Sequence, residues 1–401
     1  MNIWIVNHHA LTPDMSGGTR HYDLAKELVK KGHKVTIIAS SFHYAKLEEM
    51  RSYGDSLYIR ERLDEVDFIW LKTPPYRGSG LGRIRNMITF MRRTETIIPT
   101  LGLAKPDIIV GSSVHLFAVY AAYKLSRLYR VPFVMEVRDL WPQTLIDMGI
   151  SKWHPFILLL AKLEKFLYKK AKKIITLLPG AYTYITGLGI DAGKIVWISN
   201  GVDMKPYGRK IRQRDDGLFH ITYAGTIGKA NVLDTLFEAA MILSPSHPEI
   251  RFHIVGSGEL TEKYRAFIEK NGLKNIEISP AVPKSEIPEL LQSSDLLYIG
   301  VMDSPLYRYG ISMNKIFDYL ASSTPVIIAS NAFNNPIEEA GAGMTIPPED
   351  TEALVKAILH YNSMDKEERI ASVRHVRDYT CRHYSIEALA DKFEHTLEGL
   401  L

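Results

Sequence analysis

The chain has 401 residues, 46% apolar and 23% charged, with a formal net charge of +4; this is a soluble composition, too long for one ordinary core, so two domains are expected. So small a charge does not by itself imply a nucleic-acid partner, and a single cysteine, Cys381, excludes an intrachain disulfide framework and fits a reducing compartment. The start MNIWIVNHH has no basic segment leading into an apolar core, and the longest apolar run, Phe156–Ala161, is far short of a bilayer span, so a cytoplasmic protein without a leader is expected.

Strand-like runs alternate with helical patterns almost throughout, the pattern of parallel sheets with crossover helices. Asn2–Val6 reads as the first strand, followed by the loop Ser16-Gly17-Gly18-Thr19-Arg20, a helix over His21–Lys31 and a strand over Val35–Ala39. Glycines between a first strand and a first helix let backbone approach a ligand, or simply make a tight turn. Phe68–Leu71 is a strand ending at Pro74-Pro75, and Tyr76–Leu81 is a glycine-rich stretch expected to be mobile. The helix Arg83–Leu103 presents Arg83, Arg85, Arg92 and Arg93 beside Ile84, Met87, Ile88 and Phe90. Asp107–Gly111 is a strand, His115–Tyr129 a helix, and Phe133–Val137 a strand running into Arg138-Asp139-Leu140-Trp141-Pro142. Charged residues at a strand's carboxyl end lie where open α/β sheets bind ligands.

Trp153–Lys173 reads as a helix joining an apolar start to Lys162, Lys165, Lys169, Lys170, Lys172 and Lys173. Such a segment suits an anionic membrane surface; the other reading is a crossover helix with a solvated lysine face. Ile174–Leu177 and Ile195–Trp197 complete a sheet of about seven strands. Asn200-Gly201-Val202-Asp203 and the polar run Tyr207–Gly217 mark a boundary, after which the pattern restarts with strands at Phe219–Gly225, Arg251–Gly256, Ile276–Ser279, Leu296–Val301 and Pro325–Ala329. The expected domains are 1–199 and 200–380, with 381–401 a helical segment crossing back to the first. The loop Gly256-Ser257-Gly258-Glu259 lacks the third glycine of a dinucleotide fingerprint, Thr261 standing there, which disfavours a nicotinamide enzyme.

The chemistry is expected in Ser304–Ser330. Met313, Ile316, Phe317 and Leu320 form one apolar stripe, so Asn314, Lys315 and Asp318 share another face. With Ser312 as N-cap, the first-turn N–H groups and Lys315 make a seat for a phosphate, and Asp318 can accept from sugar hydroxyls. The alternative is a solvated helix face carrying a Lys315–Asp318 pair. No HExxH, Cys-x-x-Cys, Gly-x-Ser-x-Gly or Walker A pattern occurs. The adjacent His8 and His9 are expected to point apart rather than grip one ion. No metal or cofactor is expected.

Taken in order and spacing, SGGTR at 16–20, EVRDLWP at 136–142, NGVD at 200–203, YAGTIGKAN at 223–231, IVGSGE at 254–259 and YGISMNKIFDYLASSTPVI at 309–327 resemble the retaining GT-B glycosyltransferases of the glycogen-synthase-like clade. Within it the chain is similar to bacterial O-antigen and capsule transferases of the L-fucosamine type. The resemblance implies two Rossmann-like α/β domains facing across a cleft, with a C-terminal helix packing back on the first. It implies a donor site from Gly225, Thr226, Gly256, Gly258, Gly310, Ile311, Ser312 and Asn314, with Lys315 and Lys229 on the diphosphate and Asp318 on the ribose. Gly17 and Gly18 would close on the diphosphate, and Arg138-Asp139 would take the place of a His-Asp pair near the transferred sugar.

The motif glutamate falls at Gly310, a usual arginine at Thr226 and a usual lysine at Asn231, so donor-sugar recognition must differ from that of hexose transferases. The implied reaction is metal-free, retaining transfer from a UDP-sugar to a polyprenyl-diphosphate-linked sugar, with the departing phosphate taking the acceptor proton. Arg20, Arg83, Arg85, Trp153, Lys169 and Lys170 are assigned to the acceptor and an anionic membrane, at the inner face of the cytoplasmic membrane. Homodimerisation is left open. An epimerase-like enzyme and a non-catalytic binding module are the alternatives.

Overall fold

The computed structural model describes residues 1–401 except 16, 79, 114, 209–213 and 215. Ser16 of the glycine loop and part of the polar run after Tyr207 therefore lie outside the described residues. The chain forms two compact units, Met1–Ser199 with Ile386–Leu401, and Asn200–Ser385.

The first unit runs β1 (Asn2–Val6), α1 (Arg20–Lys30), β2 (Lys34–Ala39), the short pair β3 (Phe42–His43) and β4 (Glu48–Glu49), β5 (Tyr58–Leu63), β6 (Val66–Leu71), α2 (Leu81–Ile97), β7 (Ile108–Ser113), α3 (Leu116–Tyr129), β8 (Phe133–Val137), α4 (Gln143–Asp147), α5 (Pro155–Lys170), β9 (Lys173–Thr176), α6 (Ala181–Gly187) and β10 (Ile195–Trp197). Its main sheet has eight strands in the order β10-β9-β8-β7-β1-β2-β6-β5. All neighbours are parallel except β5, which pairs antiparallel with β6. The sheet is thus larger than the periodicity predicts. The missed strand β5, YIRERL, alternates half-buried and exposed residues because it is an edge, with none of the continuous apolar signal of a buried strand.

The second unit runs β11 (Phe219–Ala224), α7 (Asp234–Leu243), β12 (Ile250–Val255), α8 (Thr261–Asn271), β13 (Ile276–Ser279), α9 (Ile287–Gln292), β14 (Leu296–Gly300), α10 (Asn314–Ser322), β15 (Val326–Ala329), α11 (Pro336–Glu339), β16 (Gly343–Ile346), α12 (Thr351–Ser363), α13 (Lys366–Ser372) and α14 (Val376–Tyr384). Its six parallel strands are ordered β13-β12-β11-β14-β15-β16. The chain then returns to the first unit as α15 (Ile386–Glu398), which buries Leu389, Ala390, Phe393 and Leu397 with Leu24, Ala25 and Leu28 of α1 in one core. Lys31 pairs with Asp391 and Glu394 along the same seam.

Both units are Rossmann-like, and each sheet has one point where strand order reverses: between β1 and β7, and between β11 and β14. Ligands of open α/β sheets bind at the carboxyl ends of strands flanking that point. Two helical expectations need adjusting. Helix α5 starts at Pro155 and ends at Lys170, so Trp153 precedes it, Lys172 follows it and Lys173 belongs to β9. In the stretch expected to be mobile, Tyr76 is buried against Phe42.

Candidate functional site

The second unit's switch point is built by close backbone contacts. A Cβ on Gly256 would lie 1.9 Å from the carbonyl oxygen of Gly225, and one on Gly258 2.2 Å from that of Ile227. The loops after β11 and β12 are joined by hydrogen bonds from Ile227 N to Ser257 O and from Leu260 N to Ile227 O. Gly256 and Gly258 therefore let two loops interlock, a packing role rather than the dinucleotide role their spacing mimics. Gly225 makes room for something else: a Cβ there would stand 2.9 Å from Lys315 Nζ.

Lys315 comes from the first turn of α10. Its ammonium donates to the Tyr223 hydroxyl at 2.8 Å and to Asn231 Oδ1 at 2.6 Å, and lies 4.4 Å from the Tyr223 ring centroid. Asn231 is oriented for this, since its Nδ2 donates to Thr226 O, which also accepts from the Tyr223 hydroxyl. Asparagine at 231, where the resemblance leads one to expect a lysine, is thus an acceptor that receives the neighbouring lysine. Lys315 has no carboxylate partner among the described residues, and desolvation lowers its pKa to about 7.

Ser312 is not the N-cap. That position is Met313, with no side-chain cap; Ser312 Oγ instead accepts from Asn200 N, and Ser312 O from Asn200 Nδ2. The start of α10 is thereby left open beside Lys315, an arrangement suited to an anion. The approach to it is fixed by Asn334, whose amide holds Ile311 N and O. Gly310 adopts φ 115° and ψ 176°, a region essentially reserved for glycine. Asp318, one turn beyond Lys315, accepts from the Tyr207 hydroxyl at 2.9 Å; Tyr207 carried no sequence signal. Thr226 and Asn314 are exposed nearby in the chain. Exposed Lys229 does not join this cluster: it lines a groove of about 420 Å³ with Asp234, Glu238, Lys263 and Glu349. Its phosphate role rests on resemblance alone.

At the first unit's switch point, Arg20 is 5% exposed. Its Nε donates to Glu136 at 2.9 Å, and its terminal nitrogens hold the carbonyls of Ile198 and Ser199, the end of this unit's first segment. An acceptor or membrane role is therefore corrected to a structural one: the guanidinium is consumed inside the domain. Glu136 also accepts from Ser112 Oγ at 2.6 Å and from His21 Nε2 at 2.5 Å. Asn7 Oδ1 accepts from His9 N, so its Nδ2 must donate to His21 Nδ1; the His21 proton is then on Nε2, facing Glu136. Burial opposes ionisation of Glu136, but the His21 ring and Arg20 outweigh it and hold the carboxyl well below its usual range. Gly17 has φ 129°, with Leu11 Cδ1 2.6 Å from where its Cβ would be, and it is exposed with half-buried Gly18 ahead of α1. Arg138 N donates to Ser113 Oγ at the end of β8, and Asp139 is exposed beside it.

The histidines correct a further expectation. His8 and His9 do not point apart; their rings stack 4.2 Å apart and 12° from parallel, and His115, at the N-cap of α3, stands edge-on to His8. One nitrogen from each ring falls within 4.8 Å of the others. Adjacent residues on a strand do diverge, but β1 has already ended at Val6.

On the surface, α5 buries Ile157, Leu160, Leu167 and Tyr168 but exposes Leu158 and Leu159, with Trp153 73% exposed just ahead. Lys162, Lys165, Lys169 and Lys170 decorate the same helix, and Arg85 is exposed on α2. Among the described residues no helix is long and apolar enough to cross a membrane.

Two Rossmann-like domains in one chain, each with a switch point in its parallel sheet, are the architecture of the GT-B class. The fold is similar to sucrose-phosphate synthase from Thermosynechococcus elongatus (TM-score 0.75, 15% identity, 100% of this chain and 98% of that one). It is also similar to Anabaena HepE in complex with UDP (TM-score 0.70, 14% identity, 100% of both chains). Residues 17–201 match the glycosyl transferase 4-like domain and residues 219–363 the glycosyl transferases group 1 domain. The chain belongs to the glycosyltransferases assembled from these two domains. It is 22% identical, over 97% of its length and 98% of the relative's, to WcaI of Escherichia coli (strain K12), whose name assigns it to colanic acid biosynthesis as a glycosyl transferase.

Proposed function

We propose that the protein is a retaining, metal-independent glycosyltransferase. It moves a sugar, an N-acetylated amino sugar or a deoxy sugar, from a UDP-sugar to a polyprenyl-diphosphate-linked acceptor in surface-polysaccharide (O-antigen or capsule) biosynthesis. The observation that carries the reading is Lys315, a partly buried cation with only neutral partners at the open start of α10. A nucleoside diphosphate leaving group supplies the missing anion, and fixed donors there stabilise the charge that grows as the glycosidic bond breaks. WcaI by its name and HepE by its bound UDP support the donor class and the pathway type.

In this reading the second unit takes the donor and the first unit the acceptor. Asp318 holds the ribose, Arg138 and Asp139 serve the acceptor side, and Lys229 is a second cation for the phosphates. Trp153, Leu158, Leu159 and the α5 lysines dock on the anionic inner face of the cytoplasmic membrane. No metal is needed, so activity should survive excess EDTA; loss of activity restored by Mg²⁺ refutes that part.

The deciding experiment is a thermal-shift panel of UDP, GDP, ADP, CMP and dTDP. A ligand at about a hundred times its Kd adds about 2.7 kcal/mol, so UDP alone should raise Tm by a few degrees. Asp318→Ala should diminish that rise. Lys315→Ala should lower turnover more than donor binding. A response confined to GDP sinks the donor assignment. Because Gly310 offers no carboxylate to the donor sugar, a non-catalytic nucleotide-sugar-binding protein is the second reading; it would bind UDP yet neither transfer nor hydrolyse the donor.

A further inference from the structure

We propose that the crevice between β1 and β7 in the first unit binds a phosphate or diphosphate group, received by the imidazole of His8 and the guanidinium of Arg83. The inference deepens the reading above, on which it rests for the ligand's origin, because a polyprenyl-diphosphate acceptor carries that group.

The hydrogen bonds dictate which atoms are on offer. Ala118 N donates to His115 Nδ1 at 3.2 Å, so the proton of that neutral ring lies on Nε2. His115 Nε2 then donates to His8 Nδ1, 2.7 Å away, which places the His8 proton on Nε2. That N–H is buried, as is Arg83 Nε–H, and neither finds an acceptor among the described residues. His8 is 1% exposed and is clamped between the rings of His9 and Phe90, each 4.2 Å away. A buried donor without an acceptor carries its full desolvation cost. His8 stands just past the end of β1, where an open sheet binds ligands, and Arg83 is close enough to bear on the charge of all three rings, so the two orphaned donors call for an acceptor-rich group.

A metal ion fits less well, although three imidazoles converge. The facing nitrogens of His115 and His8 share a proton, and Arg83 and Arg138 lie close enough to oppose positive charge on the rings. The same cations favour an anion. All three rings are kept neutral, chiefly by burial, so His8 donates a single directed N–H.

The test uses the full chain labelled with ¹⁵N in its histidine rings and saturated with UDP, so that the second unit's site is filled. Inorganic pyrophosphate or farnesyl diphosphate is then titrated, and ring N–H correlations are followed, with His8 assigned through His8→Gln. Both probes should shift the His8 Nε2–H signal. Arg83→Gln should raise their Kd about tenfold, the effect of losing one charge-assisted hydrogen bond, while UDP affinity stays unchanged. Tighter binding of the prenyl ester identifies an esterified group; equal binding identifies a free anion. No shift at His8, an unchanged Kd in Arg83→Gln, or stoichiometric zinc by elemental analysis overturns the proposal. Failure to bind UDP would instead remove the donor reading, leaving the diphosphate titration readable.

Discussion

The ammonium of Lys315 reaches from the first turn of α10 to the side-chain oxygen of Asn231, 2.6 Å away, across a gap that exists because residue 225 has no side chain. Three separate sequence positions thus produce one cation whose partners are all neutral. Its folded pKa, about 7, lies below the ordinary lysine value. The folded protein therefore holds fewer protons than the unfolded chain between about pH 7 and 10.5, and the cost of burying this charge is felt below pH 7 and relieved above it.

A diphosphate reverses the preference by stabilising the charged form. Calorimetry of UDP binding at pH 8 in buffers of different ionisation enthalpy should show uptake approaching one proton per nucleotide, with affinity falling above pH 7. Lys315→Gln should abolish the uptake. Buffer-independent heats would mean that Lys315 does not meet the phosphates.

Gly310→Glu would reinstate the carboxylate of the related transferases, but at φ 115° a side chain is strained by about 1–3 kcal/mol. The variant should lose stability and gain no transfer. A variant as stable as the parent and more active would show that only the side chain, and not the backbone, distinguishes this protein.

Glu136→Ala leaves Arg20 as an uncompensated buried charge and should destabilise the first unit by about 3–5 kcal/mol, read as a large fall in denaturation midpoint. A change below about 1 kcal/mol would show that the network contributes little.

Glu164 is 1% exposed, with the hydroxyls of Tyr168 and Tyr184 as donors, and burial raises its pKa to about 8. The folded state therefore holds a proton that the unfolded chain has lost between about pH 4.5 and 8. Stability should fall through that window by up to about 1.4 kcal/mol per pH unit. Glu164→Gln should flatten this part of the pH–stability curve; an unaltered slope would place its origin elsewhere.

The exposed face of α5 makes its own prediction. Replacing Lys162, Lys165, Lys169 and Lys170 by Gln should weaken binding to phosphatidylserine vesicles, at about 1 kcal/mol per lysine near the surface. Trp153→Ser with Leu159→Ser should weaken the binding that persists in high salt. Equal vesicle sedimentation of parent and variants would leave α5 a crossover helix only.

Helical period alone brought Asn314, Lys315 and Asp318 to one face, because residues three and four apart on a helix are neighbours whatever surrounds them. The alternation of apolar strands and amphipathic helices announced both Rossmann-like units for the same reason: buried parallel strands and their crossover helices carry strong local patterns. Local pattern failed where a partner was distant. Ser312 reads as an N-cap until Asn200, 112 residues earlier, takes its hydroxyl. Arg20 reads as a surface cation until Glu136 and the Ile198 and Ser199 carbonyls enclose it.

Short-range periodicity and motif spacing were enough to read from the sequence the alternation of strands and helices, the two-unit plan and the helix that carries Lys315. Which charges are paired inside the protein and which keep only neutral partners depends on tertiary contacts. These put His115 against His8, 107 residues away, closed the Arg20–Glu136 pair, and left Lys315 with neutral partners only. Burial and hydrogen-bond satisfaction depend on chain segments far apart in sequence, and pairing energies inside the protein follow distance in space rather than position along the chain.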